Sequence, residues 1–116
     1  MPEKSLVSIV VSALEDLKGV DIQVLDVHQM TSITDYMVVV SGNSNRHVKA
    51  LADSVVEKVR ESGVRPLGVE GEREAEWILV DLGDVVVHVM RPLVREFYKL
   101  ERLWSIDKHA AVALEE

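Results

Sequence analysis

The sequence contains no cysteine, and this absence excludes two kinds of chemistry. Without thiols the chain can form neither a disulfide framework nor a reactive thiolate, so the fold must depend on its core. Long apolar runs are also absent, because no stretch approaches the roughly 20 apolar residues of a membrane-spanning helix. The N-terminal segment shows no signal-peptide cleavage pattern. We therefore expect a cytoplasmic protein that does not interact with a membrane.

Aromatic residues are few (4%), whereas 47% of the residues are hydrophobic and 28% are charged, a balance typical of soluble globular proteins. A chain of 116 residues is long enough for one domain with a substantial core. The net charge of −7 argues against broad, phosphate-driven binding, and we expect no direct sequence-specific binding of nucleic acid. The charge favours a basic partner or none.

Hydrophobic periodicity, caps and turn residues predict the elements outside one hairpin. Helices are expected over Ser5–Lys18, ending at Gly19, from Ser44 or Asn45 to Gly63, and from Pro92 onward with Phe97, Leu100 and Trp104 on one side. Strands are expected over Ile22–Val27, Tyr36–Val40 and Pro66–Val69. The apolar stripe of the first helix is broad, so this helix is either heavily buried or in contact with a second subunit. The charged loop Glu70–Glu76 is expected to be mobile.

These elements together predict an α+β fold, with a mixed β-sheet of about five strands packed with helices. Residues 1–104 are expected to form the single domain, and residues 105–116 a flexible C-terminal tail. Pro66 places its strand near an edge of the sheet, because proline cannot donate to a strand ladder.

The most informative segment is a hairpin from Trp77 to Met90. Gly83 and Asp84 suit a two-residue turn, because glycine supplies the positive φ of a type II′ turn. This turn pairs Leu82 with Val85, Val80 with Val87, and Ile78 with Val89, which makes one face wholly aliphatic. The opposite face carries Trp77, Leu79, Asp81, Val86, His88 and Met90.

The composition of this second hairpin face has two interpretations of equal weight. A face that meets only solvent does not normally combine Trp, Met and Leu with Asp and His. Such a mixture suits a surface that another protein covers. Alternatively, a helix covers this face too, as in a sheet that is buried on both sides.

No motif indicates catalysis or a metal site. The four histidines lie on different elements, and no pair has metal-ligand spacing. The turn Ser41–Arg46 could hold an anion at a helix N-terminus, but a cap and tight turn are the commoner role. It resembles the Gly-x-Ser turn of the nucleotidyltransferases, yet the following strand lacks their Asp-x-Asp pair. The carboxylates of Glu70–Glu76, Asp81 and Asp84 form either a solvated acidic rim or a recognition rim for a basic partner, with the solvated rim slightly favoured.

Five segments in a fixed order carry a family resemblance. They are Ser32–Tyr36, Gly42–Ala50, Pro66–Gly71, Glu76–Met90 and Phe97–Trp104. Together they resemble the ribosomal silencing factor family, also called the Iojap family after its plant member. The resemblance covers the chain from about residue 5 to Trp104.

The resemblance implies a fold related to the nucleotidyltransferases but without their catalytic residues, and thus no enzyme activity and no cofactor. It implies docking on the large ribosomal subunit through protein 14 of that subunit. A factor at this place blocks joining with the small subunit and lowers translation when nutrients are scarce. The resemblance also implies a homodimer when the protein is free.

The family's docking role carries over to residues of the hairpin and its rim: Trp77, Asp81, Asp84, His88 and Met90, with Glu70 at the rim. We expect Trp77 and Met90 to fill an apolar hollow of the partner, while Asp81 and Asp84 meet Lys or Arg. Arg46 and His47 match the family motif too, and capping or packing explains them as well as ribosome contact does.

Three functions compete at this point. The leading hypothesis is a non-enzymatic translational repressor that acts by occlusion. The alternatives are a factor that assists large-subunit assembly and, less favoured, an enzyme that binds or transfers nucleotides.

Overall fold

The computed structural model describes residues 2–29 and 34–98. Their elements follow the order α1 (Pro2–Asp16), β1 (Val20–Asp26), β2 (Tyr36–Ser41), α2 (Asn45–Glu61), β3 (Gly68–Glu70), β4 (Trp77–Asp81), β5 (Val85–Met90) and α3 (Pro92–Tyr98). The strands form one sheet in the order β1-β2-β5-β4-β3. Strands β2 and β5 pair in parallel and the other neighbours pair antiparallel. The predicted α+β class with a five-stranded mixed sheet is confirmed, whereas a relation to the nucleotidyltransferases stays a prediction.

Helices α1 and α2 cover one face of this sheet and form the main core with it. Leu14 of α1 and Leu51 of α2 are completely buried against the valines of β2 and β5. Burial of a leucine side chain contributes roughly 2–3 kcal/mol, so this layer supplies much of the fold's stability. The sheet therefore has one face that is closed by helices of its own chain.

Helix α2 begins and ends where its cap residues predict. The hydroxyl of Ser44 accepts the N–H of His47 at 3.1 Å, which satisfies a donor of the first turn. At the other end Gly63 has a φ of +95°. The N–H groups of Gly63 and Val64 reach back to the carbonyls of Arg60 and Val59, which is a Schellman motif.

The end of α1 differs from the prediction. The helix ends at Asp16, and Lys18 rather than Gly19 takes the left-handed conformation, with a φ of +61°. Gly19 is needed for another reason: a Cβ there would lie 2.7 Å from Val40 Cγ2. Glycine is required at this position because the chain packs closely against the sheet here, which hydrophobic periodicity does not reveal.

Strands β2 and β3 occupy the positions that the sequence predicts. Residues 37–41 of β2 are buried in a strand flanked by β1 and β5. Strand β3 is an edge strand, as Pro66 indicates, although it begins only at Gly68.

The charged loop Glu70–Glu76, which the sequence predicts to be mobile, is attached to the start of α2. The side-chain amide of Asn45 donates to the carbonyl of Glu74 at 2.7 Å. The N–H of Ala75 donates to the carbonyl of Gly71 at 3.0 Å, which closes the loop on itself. These bonds hold the segment that leads into β4.

Some sequence predictions fall outside the described residues. They concern Leu100 and Trp104 of the third helix and the tail 105–116, while Pro92 does begin α3 as predicted. Within the described ranges, no helix has the length and apolarity needed to cross a membrane.

Candidate partner-binding face

The hairpin of β4 and β5 has the register that its turn predicts. Val80 pairs with Val87 and Ile78 with Val89. The N–H of Leu82 donates to the carbonyl of Val85 at 2.9 Å, which closes the turn. Gly83 has a φ of +91°, as the first central residue of a type II′ turn requires.

The two faces of the hairpin have different surroundings. The aliphatic residues Ile78, Val80, Leu82, Val85, Val87 and Val89 are all buried in the core beneath α1 and α2. On the opposite face Leu79, Asp81 and Val86 are only partly buried. In the described part of α3, Val94 packs on a small cluster formed by Val27, Met37, Val39 and Met90. We use the name Trp77 face for the surface made by Glu70, Trp77, Leu79, Asp81, Val86 and His88.

Met90 does not lie where the sequence interpretation expects it. Its side chain is completely buried, in the cluster with Val39 and against Trp77. It cannot fill a hollow of a partner from this position. The reason is that β5 is central in the sheet and Met90 pairs with Ser41 of β2, so neighbouring elements cover it. Met90 supports the Trp77 face from beneath.

Trp77 and His88 form the polar centre of the face. The indole Nε1–H donates to Nδ1 of His88 at 3.0 Å, and the ring centroids are 5.8 Å apart. Because Nδ1 accepts this bond, the neutral imidazole carries its proton on Nε2. Burial lowers the pKa of His88 from 6.5 to about 4, so the ring is uncharged near neutral pH. Trp77 itself stays partly exposed at the end of β4.

The three predicted acidic residues occupy different places around the face. Glu70 of β3 pairs with Leu79 of β4, so it lies on the same side of the sheet as His88. One carboxylate oxygen of Asp81 accepts the N–H of Gly83 at 2.9 Å, which stiffens the turn.

Asp84 is exposed at the tip of the hairpin. Its backbone carbonyl accepts the N–H groups of Asp35 and Tyr36, both at 3.0 Å, which fixes the tip to β2. The tip therefore presents the Asp84 carboxylate from a braced backbone.

Sequence alternation does not place Glu70 on the Trp77 face. Alternation operates within one strand, whereas the position of Glu70 depends on how β3 pairs with β4. Gly71, with a φ of +90°, is the signal that marks the turn between these strands. Leu79 and Val86 were placed on the face by alternation, but the family motif did not single them out as partner-binding residues.

The Gly42–Arg46 turn is occupied by contacts within the chain. A Cβ on Gly42 would lie 2.9 Å from Val48 N, so this glycine is required for close packing. The N–H of Asn43 donates to Nδ1 of His47 at 2.8 Å, and Nε2 of His47 lies 2.7 Å from the carbonyl of Leu17. These contacts support capping and packing as the roles of the turn and of His47, which joins the end of α1 to the start of α2.

Among the residues that the structure describes, no group of three or more histidine, aspartate or glutamate side chains is arranged to hold a metal ion. The acidic side chains of the Trp77 face are spread along its rim. The arrangement as a whole is a mixed apolar and acidic surface on a β-sheet, which suits contact with a basic protein.

Three kinds of comparison relate the chain to known proteins. A family model described as "Ribosomal silencing factor during starvation" matches residues 1–116. A ribosomal silencing factor of Chromobacterium violaceum is 50% identical over 108 residues, covering 93% of this chain and 88% of the relative. A crystal structure of a Chromobacterium violaceum protein superposes with a TM-score of 0.89 at 50% identity, covering 93% of this chain and 90% of the other. The mouse protein named "Mitochondrial assembly of ribosomal large subunit protein 1" is 34% identical, covering 94% of this chain and 51% of the mouse protein.

Proposed function

The chain belongs to the ribosomal silencing factor family, and from this premise we propose that it is a non-enzymatic translational repressor. It binds the large ribosomal subunit through protein 14 of that subunit and sterically blocks joining with the small subunit. In this way it lowers translation under nutrient limitation in the cytoplasm. The observation that carries the proposal is the Trp77 face, which combines apolar and acidic residues on a sheet surface that α1 and α2 leave uncovered.

The chemistry of the Trp77 face supports a basic protein as the partner. Partly exposed Trp77 and Leu79 offer an apolar anchor of the type that dominates protein interfaces. Glu70 and Asp84 add negative charge at the rim, in a chain whose net charge is −7. Complementary charge speeds association with a partner rich in Lys and Arg. The same charge disfavours the ribosomal RNA as the main contact.

Charge reversal at the rim tests which surface docks. The double variant Glu70→Lys, Asp84→Lys places two positive charges at exposed sites, so the fold should be retained. We expect its affinity for purified large subunits to fall about tenfold or more, as measured by co-sedimentation at constant salt. The double variant Glu57→Lys, Glu61→Lys is the matched control, because both glutamates are exposed on α2, on the other side of the sheet. Equal binding by all three proteins would refute the assignment of the face.

Removal of the aromatic anchor tests the apolar part of the surface. Trp77→Ala should weaken binding by roughly 2 kcal/mol, which is the cost typical of an anchor residue. Circular dichroism and urea unfolding of the same variant establish that the sheet is intact. Undiminished binding by a folded Trp77→Ala variant would exclude Trp77 from the interface.

A role in large-subunit assembly is the second candidate function. The name of the mouse relative, which refers to assembly of the mitochondrial large subunit, favours it. The same docking surface would serve both roles, so binding alone does not distinguish them. Co-migration with the large subunit together with undisturbed subunit joining would favour assembly.

The free protein is proposed to be a homodimer. Apolar side chains are exposed at the end of α1 and on the edge strand β1, where Leu17, Val20 and Val24 are 38–43% exposed. An edge strand with exposed apolar residues is a ready surface for a second copy. Light scattering of the purified protein measures the mass directly, and a mass of 13.0 kDa at all concentrations would exclude the dimer.

A further inference from the structure

We infer that His88 is a positioning residue, whose ring fixes the Trp77 indole in the orientation that meets the partner. This inference rests on the proposed function of the Trp77 face. It assigns to His88 a role that differs from direct contact, since only 6% of its surface is exposed.

The position of His88 in the sheet makes it a rigid support. It lies in β5, which pairs with β2 on one side and with β4 on the other. Val39 is its neighbour in β2 and Leu79 its neighbour in β4. A side chain enclosed by two strand neighbours has little rotational freedom, so its Nδ1 atom is a fixed acceptor.

Trp77 is the side chain that this acceptor orients. It is the first residue of β4 and remains partly exposed, and it follows the loop that ends at Glu76. The bond from its indole Nε1 to His88 Nδ1 at 3.0 Å selects one orientation of a large ring. The two rings also contact each other as a tilted pair, with an angle of 50° between their planes and a centroid distance of 5.8 Å.

The orientation of Trp77 matters for affinity because a partner has to remove whatever rotational freedom the indole keeps in the free protein. Ordering a side chain with several rotamers weakens binding, and an indole held in advance avoids this loss. Loss of the acceptor should therefore weaken binding to the large subunit about three- to tenfold. This loss would occur although the Trp77 side chain itself is unchanged.

An isosteric pair of variants separates positioning from stability. His88→Asn places a carbonyl oxygen near the site of Nδ1, whereas His88→Leu has the same size and no acceptor. Leucine is the more favourable residue at a buried site, so His88→Leu should unfold at an equal or higher urea concentration than His88→Asn. Large-subunit affinity should follow the opposite order, with His88→Asn within about threefold of the native protein and His88→Leu weaker. A purely structural role would make affinity follow stability.

The hydrogen bond itself is measured on the free protein, without ribosomes. The native protein should show a scalar coupling between the indole nitrogen of Trp77 and Nδ1 of His88 in ¹⁵N-resolved spectra. His88→Leu should lose the coupling and show faster motion of the indole N–H, and a Trp77→Phe spectrum assigns the resonance. Absence of the coupling in the native protein overturns the inference, as does native affinity of the His88→Leu variant.

Failure of the proposed function has a different signature. If neither the native protein nor any variant binds the large subunit, the proposed function is wrong, and so is the partner-binding part of this inference. A coupling that persists in the native protein and an indole that becomes mobile in His88→Leu would still uphold His88 as the residue that fixes Trp77.

Discussion

Acidification should weaken the fold through His88, and the structure gives the size of the effect. The imidazole is buried in the sheet, which lowers its pKa from 6.5 to about 4. In the unfolded chain the same ring is exposed and has a pKa near 6.5. Between these two values the unfolded state binds a proton that the folded state does not.

The sign follows from this difference in proton binding. Stability rises with pH wherever the unfolded state holds more protons. The contribution of neutral His88 is therefore fully present above pH 6.5 and is lost as the pH falls towards about 4. Each pH unit in this window is worth about 1.4 kcal/mol, so the complete loss is about 3 kcal/mol.

Urea unfolding at several pH values measures the effect, with His88→Leu as the reference. Other titratable groups also bind protons on acidification, although Asp26, whose carboxyl pKa is lowered from 3.8 by its hydrogen bonds to His28, does so below this range. Those groups contribute equally to both proteins and cancel in the comparison. Between pH 7.0 and 4.5 the native protein should lose about 2 kcal/mol more than His88→Leu does. A difference that stays constant over this range would refute a buried neutral imidazole at this position.

Three further predictions concern the elements that position the face. Gly71→Ala should lower the free energy of unfolding by about 2 kcal/mol or more, because its Cβ would lie 2.1 Å from the carbonyl oxygen of Trp77 at a positive φ. Gly63→Ala should lower it by only about 1 kcal/mol, because a Cβ there meets nothing within 4 Å. Equal costs would contradict the role of Gly71 in bringing β3 alongside β4. Ser44→Ala should remove the cap of α2 at a cost of about 1 kcal/mol in urea unfolding, and no loss would show that the cap is replaceable. Leu51→Ala should cost about 3 kcal/mol because the side chain is completely buried, and a cost below 1 kcal/mol would contradict its place in the core.

The hairpin could be predicted from the sequence because its information is local. Gly83 selects the turn, the turn sets the register, and alternation then divides the side chains between two faces. The structure has this register, with Val80 opposite Val87. Helix α2 was predictable for the same reason, since Ser44 and Gly63 mark its ends.

The burial of Met90 could not be predicted, because it depends on contacts between elements that are distant in sequence. Alternation shows on which face a residue lies but not how far the neighbouring strands and helices extend over it. Val27 and Val39, which enclose Met90 in one cluster, come from other parts of the chain. This side of the sheet is therefore buried around Met90 and partly exposed around Leu79.

The position of Gly19 shows the same limit in a helix. A glycine after an apolar stripe usually adopts the left-handed conformation, yet here Lys18 does so. The requirement for glycine comes from Val40, which is 21 positions further along the chain and packs directly against it. Local patterns indicate that a residue is constrained. Which contact constrains it depends on the tertiary fold.

The most direct test of the central claim is a light-scattering measurement of subunit joining, in which large subunits are incubated with the protein before small subunits are added. Joining should fall in proportion to the fraction of large subunits that carry the protein. The Glu57→Lys, Glu61→Lys variant should inhibit like the native protein, whereas the Glu70→Lys, Asp84→Lys variant should not. Undiminished joining of large subunits that demonstrably carry the protein would contradict repression by occlusion.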